Sequence, residues 1–250
     1  MKENFEKKYH DLERDHWWFR SRRKYILDLL RDFPRDSRIL DIGSSSGLLM
    51  MDLIDMGFEK ENIYGIDISE TAIENCKLNG LDNCFVMDAQ NITIPEKFDV
   101  LIASDCLEHL EDDKKALHNW NDLLKDNGYL LVFVPAFMSL WSNHDVVNMH
   151  FHRYTKKELK DKILQEKFEI KKASYWNFSL FTPVYLFRMI NKSRKQDPSD
   201  SDGDLKMPGG FINSILTGLV TIENKLLRIF NFPVGVSTFC IAKKLPSNRV

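Results

Sequence analysis

The sequence predicts an α/β protein: an open, doubly wound, mostly parallel sheet of seven strands, with an N-terminal helical cap and a helical insertion before the last strand. Three observations carry that prediction. Apolar runs of strand length alternate strictly with amphipathic helical stretches from residue 38 to residue 135. FDVLIA, at 98–103, is almost continuously apolar, which suits a parallel strand covered on both faces. RILDIGSSSG breaks at Asp41 into a turn holding Gly43 and Gly47, and the amphipathic LLMMDLIDMGF follows at once. Such a strand, small-residue turn and helix lets a nucleotide-sized ligand approach backbone N–H groups at a helix start.

Residues 1–34 form the cap in this reading. Tyr25, Ile26, Leu29 and Leu30 make an apolar stripe that Phe33 and Pro34 end. Inside it lies HWWFR at 16–20, with Arg22 and Arg23 following, where the aromatics suit core anchors and the arginines a solvated face. Adjacent tryptophans cannot both face one core from a helix. One of Trp17 and Trp18 is therefore free to cover a ligand.

The α/β core spans 35–176. Residues 62–67 read as the second strand, and Ser69 as the N-cap of a helix to residue 79. Residues 84–87 form a short third strand closed by Asp88, Ala89 and Gln90, and 98–103 the fourth. Ser104 to His109 lead into a helix through about residue 124, which Asn127-Gly128 would end before a fifth strand at 129–134. Asp41, Asp67, Asp88 and Asp105 all fall at strand ends, where an open sheet binds its ligands.

A long connection rich in His, Trp and Met occupies 136–154. Thr155 and Glu158 then have capping-box spacing for a helix to about residue 167. Residues 168–175 and 237–243 read as strands six and seven. The insertion, 177–235, holds two hydrophobic helical stretches at 178–190 and 211–230, separated by KSRKQDPSDSDGD, which has the composition of a mobile linker. Residues 236–250 supply the last strand and a tail.

At 250 residues, 43% hydrophobic and 29% charged, the chain can bury a substantial core as one elaborated domain. A formal charge of -2 gives no reason to expect nucleic acid as a partner. Cys76, Cys84, Cys106 and Cys240 are scattered without a CxxC pair, which fits reduced, buried thiols in a cytoplasm; no metal site is expected. The charged N-terminus lacks a secretory h-region, and no stretch reaches the roughly 18 apolar residues of a spanning helix. The expected location is cytoplasmic, with a peripheral contact at the inner face of the membrane left open.

The opening turn spaces its glycines GxxxG, whereas a dinucleotide site offers GxGxxG. Asp41, two residues before Gly43, would repel a diphosphate and suit an ammonium-bearing ligand. Asp67 lies twenty residues beyond Gly47, the distance at which an acid meets ribose hydroxyls. An adenosine carrying an amino acid satisfies both.

In order along 38–135, LDIGSSSG, YGIDIS, the DAQ turn and SDCLEHL resemble the successive motifs of class I S-adenosylmethionine-dependent methyltransferases, which have a Rossmann-like fold. That resemblance implies S-adenosylmethionine as cofactor and S-adenosylhomocysteine as product. Asp41, Gly43, Ser44 and Gly47 would surround the methionine portion, and Asp67 would accept bonds from the ribose. Ile68 would pack on the adenine, Asp88 and Ala89 would bound its amine, and Ser104 and Asp105 would line the floor near the methyl group. Ser45 stands where the family usually has a middle glycine. HWWFRSRR and PAFMSLWSNHDVVNMHFHRY resemble a narrower group of methyltransferases associated with glycan or polysaccharide biosynthesis, although His152 replaces an arginine of that group's HxRRY.

Methyl transfer is an in-line displacement, so alignment supplies much of the catalysis and an oxygen nucleophile also needs a base. Histidine suits that base near neutrality. His16, His109, His144, His150 and His152 are candidates, with His150, His109, His144 and Asp105 as the catalytic set. His16, Trp17, Arg20, Trp141, Asp145, Arg153 and Tyr154 are the expected acceptor contacts, Arg153 being suited to a carboxylate or phosphate. Residues 178–230 would cap the pocket, form a homodimer seam, or touch a bilayer through Phe181, Tyr185, Phe187, Lys192, Arg194 and Lys195. The competing functions are a nicotinamide-dependent oxidoreductase and a non-catalytic cofactor-binding or scaffold protein of the same fold.

Overall fold

The computed structural model describes residues 9–192 and 207–246, without the side chains of Asn191 and Lys192. The central linker, Arg194 and Lys195 lie outside the described residues.

Seven strands form one sheet in the order β3-β2-β1-β4-β5-β7-β6. They are β1 (Ile39–Ile42), β2 (Ile63–Asp67), β3 (Cys84–Val86), β4 (Phe98–Ser104), β5 (Leu124–Pro135), β6 (Phe168–Trp176) and β7 (Ser237–Lys244). The first five run parallel, and β7 inserts antiparallel between β5 and β6. Strand order reverses between β1 and β4, so the cleft belongs above Ile42 and Ala103, which sit side by side.

Period-two alternation sorts the strand residues to two cores. Leu40, Ile42, Leu101, Ala103, Leu130 and Val132 face one cluster with Trp120 and Ile163. Ile39, Val100, Ile102, Leu131 and Phe133 face the other with Tyr25, Ile26, Met50 and Val220. Each fully buried side chain of this size contributes roughly 1.5–3 kcal/mol relative to exposure.

The helices cover these faces: α1 (described over residues 9–13), α2 (Trp17–Leu29), α3 (Leu48–Asp55), α4 (Glu70–Leu78), α5 (Asp113–Leu123), α6 (Asn143–Val147), α7 (Lys156–Gln165), α8 (Phe181–Lys192) and α9 (Gly210–Leu226). Ser69 accepts from the Ala72 N–H as the N-cap of α4, and Thr155 with Glu158 forms the capping box of α7. One boundary moves. The Asn127-Gly128 pair, expected to end a helix, lies within β5, whose pairing with β4 is irregular between Phe98 and Val100. Asn127 there has a φ of 65°.

The insertion is clasped to the cap. Asn213 of α9 accepts from the Trp17 N–H at 2.9 Å, and Asn224 joins the Ser21 carbonyl to the Trp176 indole. Glu223 accepts from the backbone N–H groups of Phe178 and Ser179, which fixes the approach to α8. The helices also keep apolar side chains exposed away from the cleft at Leu186, Ile190, Phe211 and Ile215. Among the described residues no helix is long and apolar enough to cross a membrane. All four cysteines are buried and free.

Candidate active site

The turn after β1 is tied to β2. The N–H groups of Gly43 and Ser44 both donate to the Ile66 carbonyl at 2.9 Å. Ser45 has a φ of 48°, the left-handed backbone that a glycine adopts without cost. Its N–H donates to Asp67 at 3.0 Å, and Ser69 donates to the other carboxylate oxygen. The hydroxyls of Ser45 and Ser46 both donate to Glu13, at 3.1 and 2.7 Å. A glycine at position 45 would give the cap one anchor fewer.

Above the strand tips lies a cleft of about 980 Å³. Gly43, Asp67, Ile68, Asp88, Ala89, Ser104 and Asp105 line it from the sheet. His16, Trp17 and Trp18 line it from the cap; both tryptophans face the cleft, and Trp18 also packs edge-on against Trp176. Two expected members of the turn sit elsewhere. Gly47 lines no cleft: an added Cβ would stand 2.4 Å from Leu81 and 3.0 Å from Cys76, so its smallness serves packing on α4. Asp41 and Ser44 line a separate cavity of about 60 Å³ together with Glu13, Gly43 and Asp105. Burial, with Cys76, Glu13 and Asp67 nearby, pushes the Asp41 carboxyl well above the usual range.

Asp105 has a φ of 56° at the β4 tip and meets Arg22 of the cap at 3.4 Å. Strain of this kind clusters at functional sites. Arg22 is buried, contrary to the solvated face expected for the arginines. Its guanidinium lies 4.2 Å from the Trp176 ring and 4.7 Å from Phe133, and it donates to Ser237 at 3.1 Å. Burial lowers its pKa while Asp105 and Glu108 oppose the fall. Arg22, Glu13 and Glu108 were absent from the sequence-based site. Only the aromatic and basic clustering of HWWFRSRR pointed towards the first.

Glu108, His109, His144 and His150 line the cleft as well. Asp145, fully buried, meets His150 Nδ1 at 2.8 Å and Arg153 Nε at 2.6 Å. Burial alone would raise the Asp145 carboxyl, but the His150 and Arg153 contacts outweigh it and hold it below the carboxylate range. The His109 and His150 ring centroids are 4.6 Å apart. Burial, then His150, pushes His109 down to about 3, so its ring is neutral at physiological pH. Glu108 is 1% exposed, and burial followed by Asp105 raises its carboxyl.

Other expected acceptor contacts turn away. Tyr154 is buried and donates to Asp113 at 2.9 Å, on the α5 and α7 side of the sheet. Arg20 is exposed on the outer face of α2, and Trp141 lies outside the cleft walls. His152 pairs with Glu158 at 2.7 Å, also off the cleft. Arg153 reaches the cleft wall, but its Nε and one terminal nitrogen are already held by Asp145 and the Ala136 carbonyl.

The negative groups around the turn suit a cation, and Ile68, 73% exposed beside Ala89, offers a flat apolar wall. Both fit an adenosine bearing a sulfonium and an ammonium. Comparison with known proteins agrees. A family described as "Methyltransferase domain" matches residues 40–132. The ubiquinone biosynthesis O-methyltransferase of Histophilus somni is 29% identical over 106 residues, 38% of this chain and 43% of that protein. The chain spans about half, or less, of the length of the curated relatives it matches. Among solved structures, an S-adenosylmethionine-dependent methyltransferase from Archaeoglobus fulgidus superposes with a TM-score of 0.56 at 21% identity, covering 95% of this chain and 99% of its own. The [4+2]-cyclase SpnF superposes at 0.58 with 17% identity, over 91% and 82%. These structural likenesses show the fold, which hosts more than one chemistry. Residues 40–132 of this chain are accordingly similar to the methyltransferase domain family, on a fold shared with S-adenosylmethionine-dependent methyltransferases.

Proposed function

We propose that the chain transfers a methyl group from S-adenosylmethionine to a hydroxyl oxygen of an amphipathic small molecule. The observation that carries this reading is one cleft lined by both Asp67 and the Asp145-oriented His150. Asp67 would hold the ribose, Ile68 and Ala89 the adenine, and the turn at Gly43 the amino-acid portion, with Asp41 beneath contributing negative potential. When bound, the cofactor supplies an electrophilic methyl group on a sulfonium.

The chain's own work is then alignment and proton handling. His150 uses Nδ1 on Asp145, so Nε2 is the nitrogen left to accept a proton from a hydroxyl in the cleft. Arg22 holds Asp105 in its left-handed conformation on the floor. Leu180, Val184, Phe187 and Leu216 give the far wall an apolar character that favours an acceptor with a hydrocarbon portion over a free sugar. The relatives' printed name supports oxygen as the nucleophile. A lipid-linked glycan has both properties and keeps the resemblance of the flanking segments in play.

Calorimetry with S-adenosylmethionine and with a reduced nicotinamide separates the methyltransferase from the oxidoreductase reading. Release of S-adenosylhomocysteine is then followed with long-chain phenols, polyprenyl-linked saccharides and free sugars. Turnover with the first two and not the third supports the proposal. Cofactor binding with no turnover on any hydroxyl compound would sink it in favour of a non-catalytic role.

A further inference from the structure

We infer that Glu108, His109 and His150 bind a divalent transition-metal ion in the cleft. One ligand atom from each lies within 4.8 Å of the other two. Ligand atoms around a tetrahedral ion at about 2.1 Å stand roughly 3.4 Å apart, so side-chain rotations of about 1 Å close the set. The donors, one carboxylate oxygen and two imidazole nitrogens, suit zinc, cobalt, iron or manganese and leave positions free for a ligand from the cleft.

Two further features point to a ligand rather than to chance proximity. Glu108 is 1% exposed, and its Oε2 has no hydrogen-bond partner among the described residues. A buried carboxylate oxygen without a partner is costly unless something positive meets it. Each imidazole, moreover, has its other nitrogen occupied: His150 Nδ1 by Asp145 at 2.8 Å, and His109 by the Asn148 carbonyl. This is the outer arrangement that orients metal-ligating histidines. The two ligand segments are pinned together as well, since the Phe151 N–H donates to the Glu108 carbonyl at 2.8 Å.

The scattered cysteines gave no hint of such a site, because its ligands come from two segments forty residues apart, 108–109 and 150. The cation would repel a sulfonium, which assigns it to the acceptor. A hydroxyl bound to it loses its proton to solvent, and the O–H electron pair stays on the oxygen as a metal-held nucleophile. With the cation bound, His150 Nε2 would be a ligand and the proton would go to solvent, so the base role proposed above belongs to the metal-free site. Where the cation acts rests on the proposed function; its binding does not.

The test uses the full chain stripped with a chelator and titrated with cobalt(II), read by visible absorption and by calorimetry. One equivalent is expected, with affinity at least tenfold lower in Glu108→Gln and in His109→Ala and unchanged in His152→Ala, whose imidazole lies off the cleft. Asp145→Asn is expected to weaken binding by roughly 10–100-fold. Circular dichroism of each variant establishes folding. No binding, or equal binding by all variants, overturns the inference. S-adenosylmethionine calorimetry and turnover on the stripped protein separate the two readings. A protein that methylates fully and binds no cation loses only the metal site, and one that binds cobalt but no S-adenosylmethionine loses only the methyltransferase assignment.

Discussion

Arg22 and Asp105 join the helical cap to the floor of the cleft across 3.4 Å, with the arginine 3% and the aspartate 22% exposed. The guanidinium also stacks on Trp176 and donates to Ser237, so one side chain ties α2, β4, β6 and β7 together. Arg22→Met keeps much of the apolar contact but leaves Asp105 without its partner in a strained backbone. Removing one member of a buried pair costs about 3–5 kcal/mol, and the partial exposure of Asp105 puts the expected loss near the lower end. Arg22→Lys keeps the charge but not the planar fork, and is expected to lose part of the same stability. Thermal unfolding measures both. Equal melting temperatures for wild type and Arg22→Met would refute the structural role.

Ser45 offers a second test, because two effects oppose each other there. Its φ of 48° costs a non-glycine residue roughly 1–2 kcal/mol, while its hydroxyl bonds Glu13 at 3.1 Å. Ser45→Gly relieves the strain and loses the bond, so stability should change by less than about 1 kcal/mol. Ser45→Ala keeps the strain and loses the bond, and should cost about 1–2 kcal/mol. Both variants loosen the cap over the turn. Faster release of S-adenosylmethionine in stopped-flow is therefore expected from each.

The sheet was legible because its information is local. Period-two apolar runs, the Ser69 cap and the Thr155 box each lie within a few residues, and strand ends then place Asp67, Asp88 and Asp105 at the cleft. Arg22 was not legible, since its burial depends on Ser237, 215 residues away, and on an aromatic from β6. Tyr154 was misread for a related reason. Arg153 beside it reaches the cleft wall, but the Asp113 contact that turns the Tyr154 hydroxyl to the opposite side comes from α5. Gly47 looked like a ligand-approach glycine, while its constraint comes from Leu81 and Cys76 across the helix pair.

The Cys106 and Cys240 thiols should be chemically silent in the native state. All four cysteines are buried, and burial pushes Cys106 well above the usual thiol range and Cys240 to about 12. The nucleophilic thiolate is thereby disfavoured at neutral pH. Native protein incubated with iodoacetamide at pH 8 is expected to take up label at Cys106 and Cys240 only at the rate of unfolding, with rapid uptake in denaturant. Fast native labelling at either position, read by peptide mass spectrometry, would contradict their burial.

On the proposed function, Asp41 is expected to couple proton release to cofactor binding. Its carboxyl is 4% exposed, and burial, with Cys76, Glu13 and Asp67 nearby, raises its pKa well above the unfolded value. For a group raised in the folded state, the stability contribution is complete below the unfolded pKa of about 3.9 and is lost as pH rises through the folded value. Ligand-free Asp41→Asn should therefore melt higher than wild type at neutral pH, with the difference shrinking towards pH 4. Binding a cation in the adjoining cleft favours the ionised carboxylate, so wild type should release a proton as S-adenosylmethionine binds. Calorimetry in two buffers of different ionisation enthalpy reads that proton directly. The apparent enthalpies are expected to differ for wild type and to converge for Asp41→Asn, with weaker binding in the variant. If the wild-type enthalpies already agree, Asp41 does not change its protonation on binding and the coupling is refuted.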